Sequence, residues 1–328
     1  MKRLLGFLAI LAVVAVGRFA YRLNDRPSME PYRALVLESA EAETGKLRAI
    51  FLGVATLLFD DGETAILVDG FFSRPSAFRT IATRVVPDVA VIERSLERAG
   101  IRELEAVLTV HSHYDHAMDS PDVARRTGAL LVGSESTANI GRGAGLAEDS
   151  IRVIKDGDRM TFGKFAVTAI RTAHFPHGMA MGEITAPLIP PARATAYLDG
   201  GNYSYLIEHG GRTLLVQGSA GFVRGTLRGR GAEVVFLGIT GLGTRDDDYR
   251  DGYWREVVDA VGAKRVIPIH WDDFTLPLDR PLEAMPRLLD DIPLTMSFLL
   301  ERAKDRGVDV RFATEWQLID PFAGLAVE

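Results

Sequence analysis

His111-Ser112-His113-Tyr114-Asp115-His116 follows without a break on the apolar stretch 106–110. A continuous apolar run of that length reads as a buried strand, so the polar groups after it stand at the end of a sheet covered on both faces. An extended segment throws alternate side chains to one side, which lets His111, His113 and Asp115 converge while His116 points to a neighbouring position. Two adjacent metal ions can share such a loop. Neutral imidazoles and a carboxylate suit Zn²⁺, or Fe and Mn where carboxylate and water dominate. Without a metal, three imidazoles packed together lose hydration and repel one another once protonated.

Outward from this stretch, the chain alternates strand and helix signals. Residues 47–52, 56–59 and 64–68 are short apolar strands, the last two joined by the hairpin turn Asp60-Asp61-Gly62. Ile92, Leu96 and Ala99 recur at helical spacing before Gly100. Ser120-Pro121 opens a helix that ends at Gly128, and 129–132 is the next strand. The second half repeats this grammar, with strands at 165–170, 203–207, 213–216, 234–237, 265–269 and 308–312. Helices are expected around Trp254, Val257, Val258 and Val261, and over 294–305. His209, in the turn His209-Gly210-Gly211, is expected on the surface, and the charged cluster 244–250 in a solvated loop. Strands flanked by helices in both halves predict a layered α/β architecture in one domain, with helices on the outer faces of the sheets.

Composition narrows the chemistry. With 328 residues, 47% of them hydrophobic and 25% charged, the chain can build a large core, which excludes disorder and fibres. A net charge of −6 offers no basic surface, so no nucleic-acid partner is expected. The absence of cysteine removes disulfides, thiol nucleophiles and Cys-based zinc sites, so any metal must be held by His and carboxylates. Neither a Walker loop nor a dinucleotide fingerprint is present. Gly218-Ser219-Ala220-Gly221 lacks the G-x-S-x-G spacing of a nucleophile elbow, since Gln217 occupies the first position.

Lys2 and Arg3 precede the apolar run 4–16, the layout of a signal peptide, with Ala15 and Gly17 as small residues before a cut after Gly17. The run falls short of the roughly 20 residues of a spanning helix, but Phe19, Ala20 and Tyr21 lengthen it, so a retained membrane anchor is the competing reading. The expected organisation is therefore a signal peptide or anchor over 1–23, a linker over 24–46 and one domain over 47–328. The chain would be exported, to the periplasm or held at the inner membrane.

The run 111–116 also resembles the His-x-His-x-Asp-His signature of the metallo-β-lactamase superfamily, and the resemblance extends over roughly 47–320. It implies a four-layer αββα sandwich of two mixed β-sheets with helices on the outer faces. By the same resemblance His111, His113 and His174 would hold a first metal, and Asp115, His116 and His270 a second. Asp69 would orient the metal loop by hydrogen bonding; a turn aspartate before Gly70 is the alternative reading. His177 rivals His174 as ligand. Where the family usually carries an aspartate that bridges both metals, this chain has Gly218-Ser219, so a unit of negative charge is missing there and metal number is left open at one or two. Asp272 and Asp273, beside His270, are candidates to compensate. The runs 111–116 and 267–272 are more similar to the branch containing ascorbate-6-phosphate lactonase and N-acylphosphatidylethanolamine phospholipase D than to the antibiotic-cleaving enzymes.

The expected activity is metal-dependent hydrolysis, with zinc as the metal and Mn²⁺ or Fe²⁺ as alternatives. Metal ions acidify a bound water to give a hydroxide nucleophile and polarise the oxygen under attack. Asp115 would bind metal and orient the nucleophile, and His270 or His177 would assist the leaving group. Two segments are expected to shape the pocket: Gly70-Phe71-Phe72-Ser73-Arg74-Pro75, and the long apolar loop 178–196 with Met179, Met181, Ile184, Leu188 and Ile189. With the N-terminal segment, they point to a small-molecule or amphiphilic ester, lactone or phosphodiester. The alternatives are an iron-dependent oxidoreductase on the same scaffold and a non-catalytic metal-binding protein.

Overall fold

The structure is a computed structural model that describes residues 14, 17–18 and 21–326. The signal-or-anchor reading of 1–23 falls almost entirely outside the described residues, and among those described no helix is long and apolar enough to cross a membrane. The stretch 24–46, expected as a linker, is docked along the domain. Arg26 pairs with Asp273 at 2.6 Å, residues Glu30–Leu35 form a 3₁₀ helix, and Leu37 is buried.

In the first half β1 (Arg48–Phe51), β2 (Leu57–Asp60) and β3 (Ala65–Val68) form an antiparallel meander, with Leu57 opposite Val68 across the Asp60-Asp61-Gly62 turn. The helices α1 (Ala77–Ala82) and α2 (Val89–Arg98) lead to β4 (Ala106–Leu108), which pairs parallel with β3. One helical turn, α3 (Tyr114–Ala117), and then α4 (Ser120–Thr127) carry the chain to β5 (Leu130–Gly133). Helix α5 (Glu135–Gly143) leads to the edge strand β6 (Ile151–Val153).

The second half forms the second sheet. Strands β7 (Arg159–Phe162), β8 (Phe165–Thr172), β9 (Asn202–His209) and β10 (Arg212–Gln217) are antiparallel neighbours. Beyond them β11 (Val234–Gly238), helix α6 (Asp247–Tyr253) with a π-helical continuation to Asp259, and β12 (Arg265–Ile269) follow, β10, β11 and β12 being parallel. Helix α7 (Ile292–Arg306) precedes β13 (Asp309–Val310). The last strand, β14 (Leu318–Ile319), crosses back to pair with β1. Among the described residues the result is two seven-stranded mixed sheets. Their facing sides share one apolar cluster, from Phe51, Phe59 and Val68 to Tyr205, Leu214 and Phe236. On the outer face of the first sheet a second cluster joins Leu58 and Leu67 to Ile92 and Leu96 of α2 and Val123 of α4. This is the four-layer αββα arrangement, and it places the ends of β4, β8 and β12 at one rim.

Two expectations are corrected here. His209 is buried, and its Nε2 lies 2.8 Å from Asp61 Oδ2, which ties the β9–β10 turn of one sheet to the β2–β3 turn of the other. The cluster 244–250 is not a solvated loop: it begins α6, Arg250 is buried, and the Arg245 guanidinium stacks 4.5 Å from the centre of the Phe175 ring.

Candidate metal centre

Each ligand candidate stands just beyond the end of a strand, β4, β8 or β12. After β4, Val110 N–H donates to Asp69 Oδ1 at 2.8 Å, and Tyr203 N–H of the other sheet donates to the Val110 carbonyl at 2.8 Å. The chain stays extended through His113 and then coils into α3. That turn corrects the simple alternation expected for 111–116. Asp115 leaves the side of His111 and His113 and joins His116.

Two triads result. One ligand atom from each of His111, His113 and His174 lies within 4.8 Å of the others, and the same holds for Asp115, His116 and His270. In the second triad His116 Nε2 is 3.2 Å from His270 Nε2, and Asp115 Oδ2 is 3.5 Å from His270 Nε2. The rings of His111 and His116, 3.9 Å apart, join the two sets. His177 stands beside the first triad and outside it. Its ring is 4.8 Å from that of His174, and its Nδ1 accepts the Met179 N–H at 2.9 Å.

The remaining ring nitrogens are held by neighbours, which decides what each imidazole presents. His116 Nδ1 donates to Asp69 Oδ2 at 2.7 Å, the orienting contact implied for Asp69. His174 Nδ1 donates to the Phe175 carbonyl at 2.8 Å, and His113 Nε2 to that of Ala180 at 3.1 Å. The Thr240 hydroxyl donates to the His270 carbonyl and takes the His270 Nδ1 proton at 2.7 Å. Thus His116, His174 and His270 offer Nε2, and His113 offers Nδ1. His111 is buried with neither ring nitrogen hydrogen-bonded. Leaving such a group unpaired in the interior is costly, and a cation between the three rings would satisfy it. The donor set therefore fits a metal.

Ionisation agrees with this. Burial first, and then the charge of His113, pushes His174 down to about 3. Burial also holds His111 well below and His113 below the ordinary imidazole value. Burial alone would raise Asp115, but the neighbouring His116 and His270 outweigh it and hold the carboxyl well below its usual range. Burial lowers His116 less than Asp69 and Asp115 raise it. The neutral His111, His113 and His174 and the ionised Asp115 are the forms that bind a cation, whereas His116, which its two carboxylates favour in the protonated form, would have to release its Nε2 proton as a cation enters.

At the position of the missing carboxylate, Ser219 Oγ accepts the Phe175 N–H at 2.9 Å, so it braces the strand end that carries His174. Asp272 and Asp273 do not compensate, which corrects that expectation. Asp272 is buried in an ion pair with Arg74 at 2.7 Å and accepts the Val54 N–H at 2.8 Å, while Asp273 pairs with Arg26. Val54 in turn accepts the His270 N–H at 2.7 Å. Val54, Asp69, Arg74, Ala180 and His270 are five of the six non-glycine residues with positive φ among the described residues. Strain of this kind is held only where surrounding contacts over-determine it. A Cβ on Gly53 would collide with the Arg74 guanidinium, so this crossing requires glycine. The sequence carries no signal for Thr240 or Val54, because each acts through contacts made across the fold, and Arg74, expected with Phe71 and Phe72 to shape the pocket, is instead buried with them.

Residues 64–271 match the family described as the β-lactamase superfamily domain. A UPF0173 metal-dependent hydrolase from Heliobacterium modesticaldum is 24% identical over 257 residues, which cover 75% of this chain and 91% of that protein. Among solved structures, Igni18, a metallo hydrolase from Ignicoccus hospitalis, superposes with a TM-score of 0.52 at 16% identity over 83% of this chain and 96% of its own. CmlA, a diiron β-hydroxylase from Streptomyces venezuelae, does so with a TM-score of 0.50 at 16% identity over 84% and 54%. At such identities the structural likenesses speak to the fold alone.

Proposed function

The chain belongs to the β-lactamase superfamily, and from that premise we propose that it is a zinc-dependent hydrolase of an ester, lactone or phosphodiester with an amphiphilic body. The observation that carries this reading is the pair of convergent triads, with His111 buried and unpaired at their centre. Five imidazoles and one carboxylate form a nitrogen-rich set that suits zinc better than harder cations. Bound there, the metal supplies Lewis acidity and an acidified water.

The chain's own groups then have separate tasks. His111, His113 and His174 would hold one ion, and Asp115, His116 and His270 a second. Asp115, held ionised, accepts a hydrogen bond from the attacking group and fixes its direction. With Nδ1 of His270 held by Thr240 and its Nε2 turned into the triad, contact with the leaving group falls to His177. The Met179 N–H occupies His177 Nδ1, so the neutral ring presents Nε2–H, a hydrogen-bond donor to the departing oxygen, which would take its proton from solvent. The apolar run 4–16 after Lys2 and Arg3 supports export to the periplasm or attachment to the inner membrane.

The test is a hydrolysis screen of metal-loaded protein against lactones, carboxyl esters, phosphodiesters and β-lactams, with elemental analysis of the same preparation. Turnover of an ester, lactone or phosphodiester, zinc in the protein, and loss of turnover by about 10²-fold or more in a folded Asp115→Ala variant are expected. Failure to hydrolyse any class, or a single iron per chain, would overturn the reading, the second in favour of an iron-dependent oxidoreductase.

A further inference from the structure

We infer that the mouth of the metal centre docks on an anionic phospholipid surface, an inference that rests on the hydrolase reading only for the substrate it implies. Its first support is a set of exposed apolar side chains on the two segments, 76–86 and 179–191, that contact the loop of the metal centre; the face they share is its mouth. Phe78 and Ile81, one turn apart on α1, are 75% and 81% exposed, and Met179 and Ile189 are 68% and 70% exposed. None is remote from the site. Thr80 of α1 hydrogen-bonds Tyr114, the residue before Asp115. Met179 and Met181 flank Ala180, whose carbonyl holds His113. Ile189 precedes the segment in which Ala192 pairs with Val85, just beyond α1, and Arg84 donates to the Pro191 carbonyl. Large apolar groups left in water on a chain with ample core mark a surface that meets something apolar.

Charge and chain direction identify what it meets. Residues 75–90 and 179–193 together carry three arginines, Arg79, Arg84 and Arg193, against Asp88 and Glu183, an excess of positive charge in a chain whose net charge is −6. Apolar side chains interleaved with arginines match an anionic headgroup layer above acyl chains. Arg26 is fixed to Asp273, and the next residue, Phe274, has its ring 5.7 Å from that of His270 and 6.3 Å from that of Tyr114. The chain that leads back to the apolar run 4–16, through Arg22 and Arg18, therefore leaves the domain at the rim of the metal centre. A lipid surface reached by that run is the surface the mouth would face, and an amphiphilic substrate would pass from it into the site without crossing water.

Hydrogen exchange on the full chain tests this, comparing the free protein with protein on vesicles of phosphatidylcholine mixed with phosphatidylglycerol. Exchange should slow over 76–90 and 179–190 on the mixed vesicles and less on phosphatidylcholine alone. A Phe78→Asp, Ile81→Asp double variant should bind the mixed vesicles about tenfold or more weakly, since burying each such side chain carries at least that factor. Its hydrolysis of a water-soluble ester should be unchanged. Unchanged exchange in both segments while the chain still sediments with vesicles would overturn the inference. So would slowing that needs no vesicles and follows protein concentration, which would make a second copy the occupant. The exchange and vesicle-binding readouts need no turnover, so this inference and the hydrolase reading fail separately.

Discussion

Asp69 shows how one carboxylate can organise a metal site it does not enter. Its Oδ1 takes the Val110 N–H and its Oδ2 the His116 Nδ1 proton, so the strand end and the ligand ring are fixed together. Replacing Asp69 with Asn should weaken metal binding at the second triad by about 10- to 100-fold, as expected for loss of an orienting partner. Titration of the metal-free protein with Zn²⁺ measures it, and equal affinity in the variant would contradict the role. His111, His113 and His174 titrate below the ordinary value of 6.5 in the folded chain, His174 down to about 3. The unfolded chain therefore takes up protons that the native one refuses, so their stabilisation is complete above about pH 6.5 and falls as pH drops toward about 3. His116, raised by Asp69 and Asp115, contributes in the opposite sense, fully present below that value and lost as pH rises through its folded pKa. Asp119 and Asp290, which burial pushes up to about 6, also gain stability as pH falls, so the imidazole share is read by difference: in chelated protein, His174→Gln should lessen the loss of thermal midpoint between about pH 6.5 and about pH 4. An unchanged pH dependence would count against the assigned ionisation state.

Among the elements, the loops at strand ends determine the site, and one of them depends on a buried ion pair. Arg74 and Asp272 meet with both side chains fully buried, and Asp272 also holds Val54, which holds His270. Removing one partner of such a pair strands the other charge in the interior. Arg74→Ala should cost about 3–5 kcal/mol in denaturant unfolding, and a loss under about 1 kcal/mol would show the pair to be peripheral. Legibility in the sequence followed burial. The continuous apolar strands at β4, β11 and β12, and the capped helix α4, were readable because one local pattern decided each. Strand β6, with two of its three residues exposed, and β14, two residues long, depend on pairing partners far along the chain and left no local pattern. Helix α5 holds Gly141 and Gly143, poor helix formers kept because Leu131 and the Leu188 backbone press against them. The ligand residues could be read as a signature, whereas the partners that orient them could not, since Thr240 or Ser219 is an ordinary residue until the fold brings His270 or Phe175 to it.

Across the whole molecule, the candidate metal centre lies on the seam between the two sheets. His111, His113, Asp115 and His116 follow the first sheet's β4, while His174 and His270 follow β8 and β12 of the second. At the β2–β3 and β9–β10 turns, the buried Asp61–His209 contact ties the same two sheets together. A cation on either triad binds the assembled sandwich and not the separated sheets. Zinc at a free concentration about 100 times its dissociation constant should therefore add about 2.7 kcal/mol to stability. Calorimetry with and without the ion checks this, and an unchanged midpoint would mean the ion is held by one local segment. Anomalous diffraction at the zinc edge from crystals of the zinc-loaded protein tests the paired triads directly. Ions are expected about 2.0–2.3 Å from His111, His113 Nδ1 and His174 Nε2, and from Asp115, His116 Nε2 and His270 Nε2. Zinc bound elsewhere, with both triads empty, would contradict this assignment.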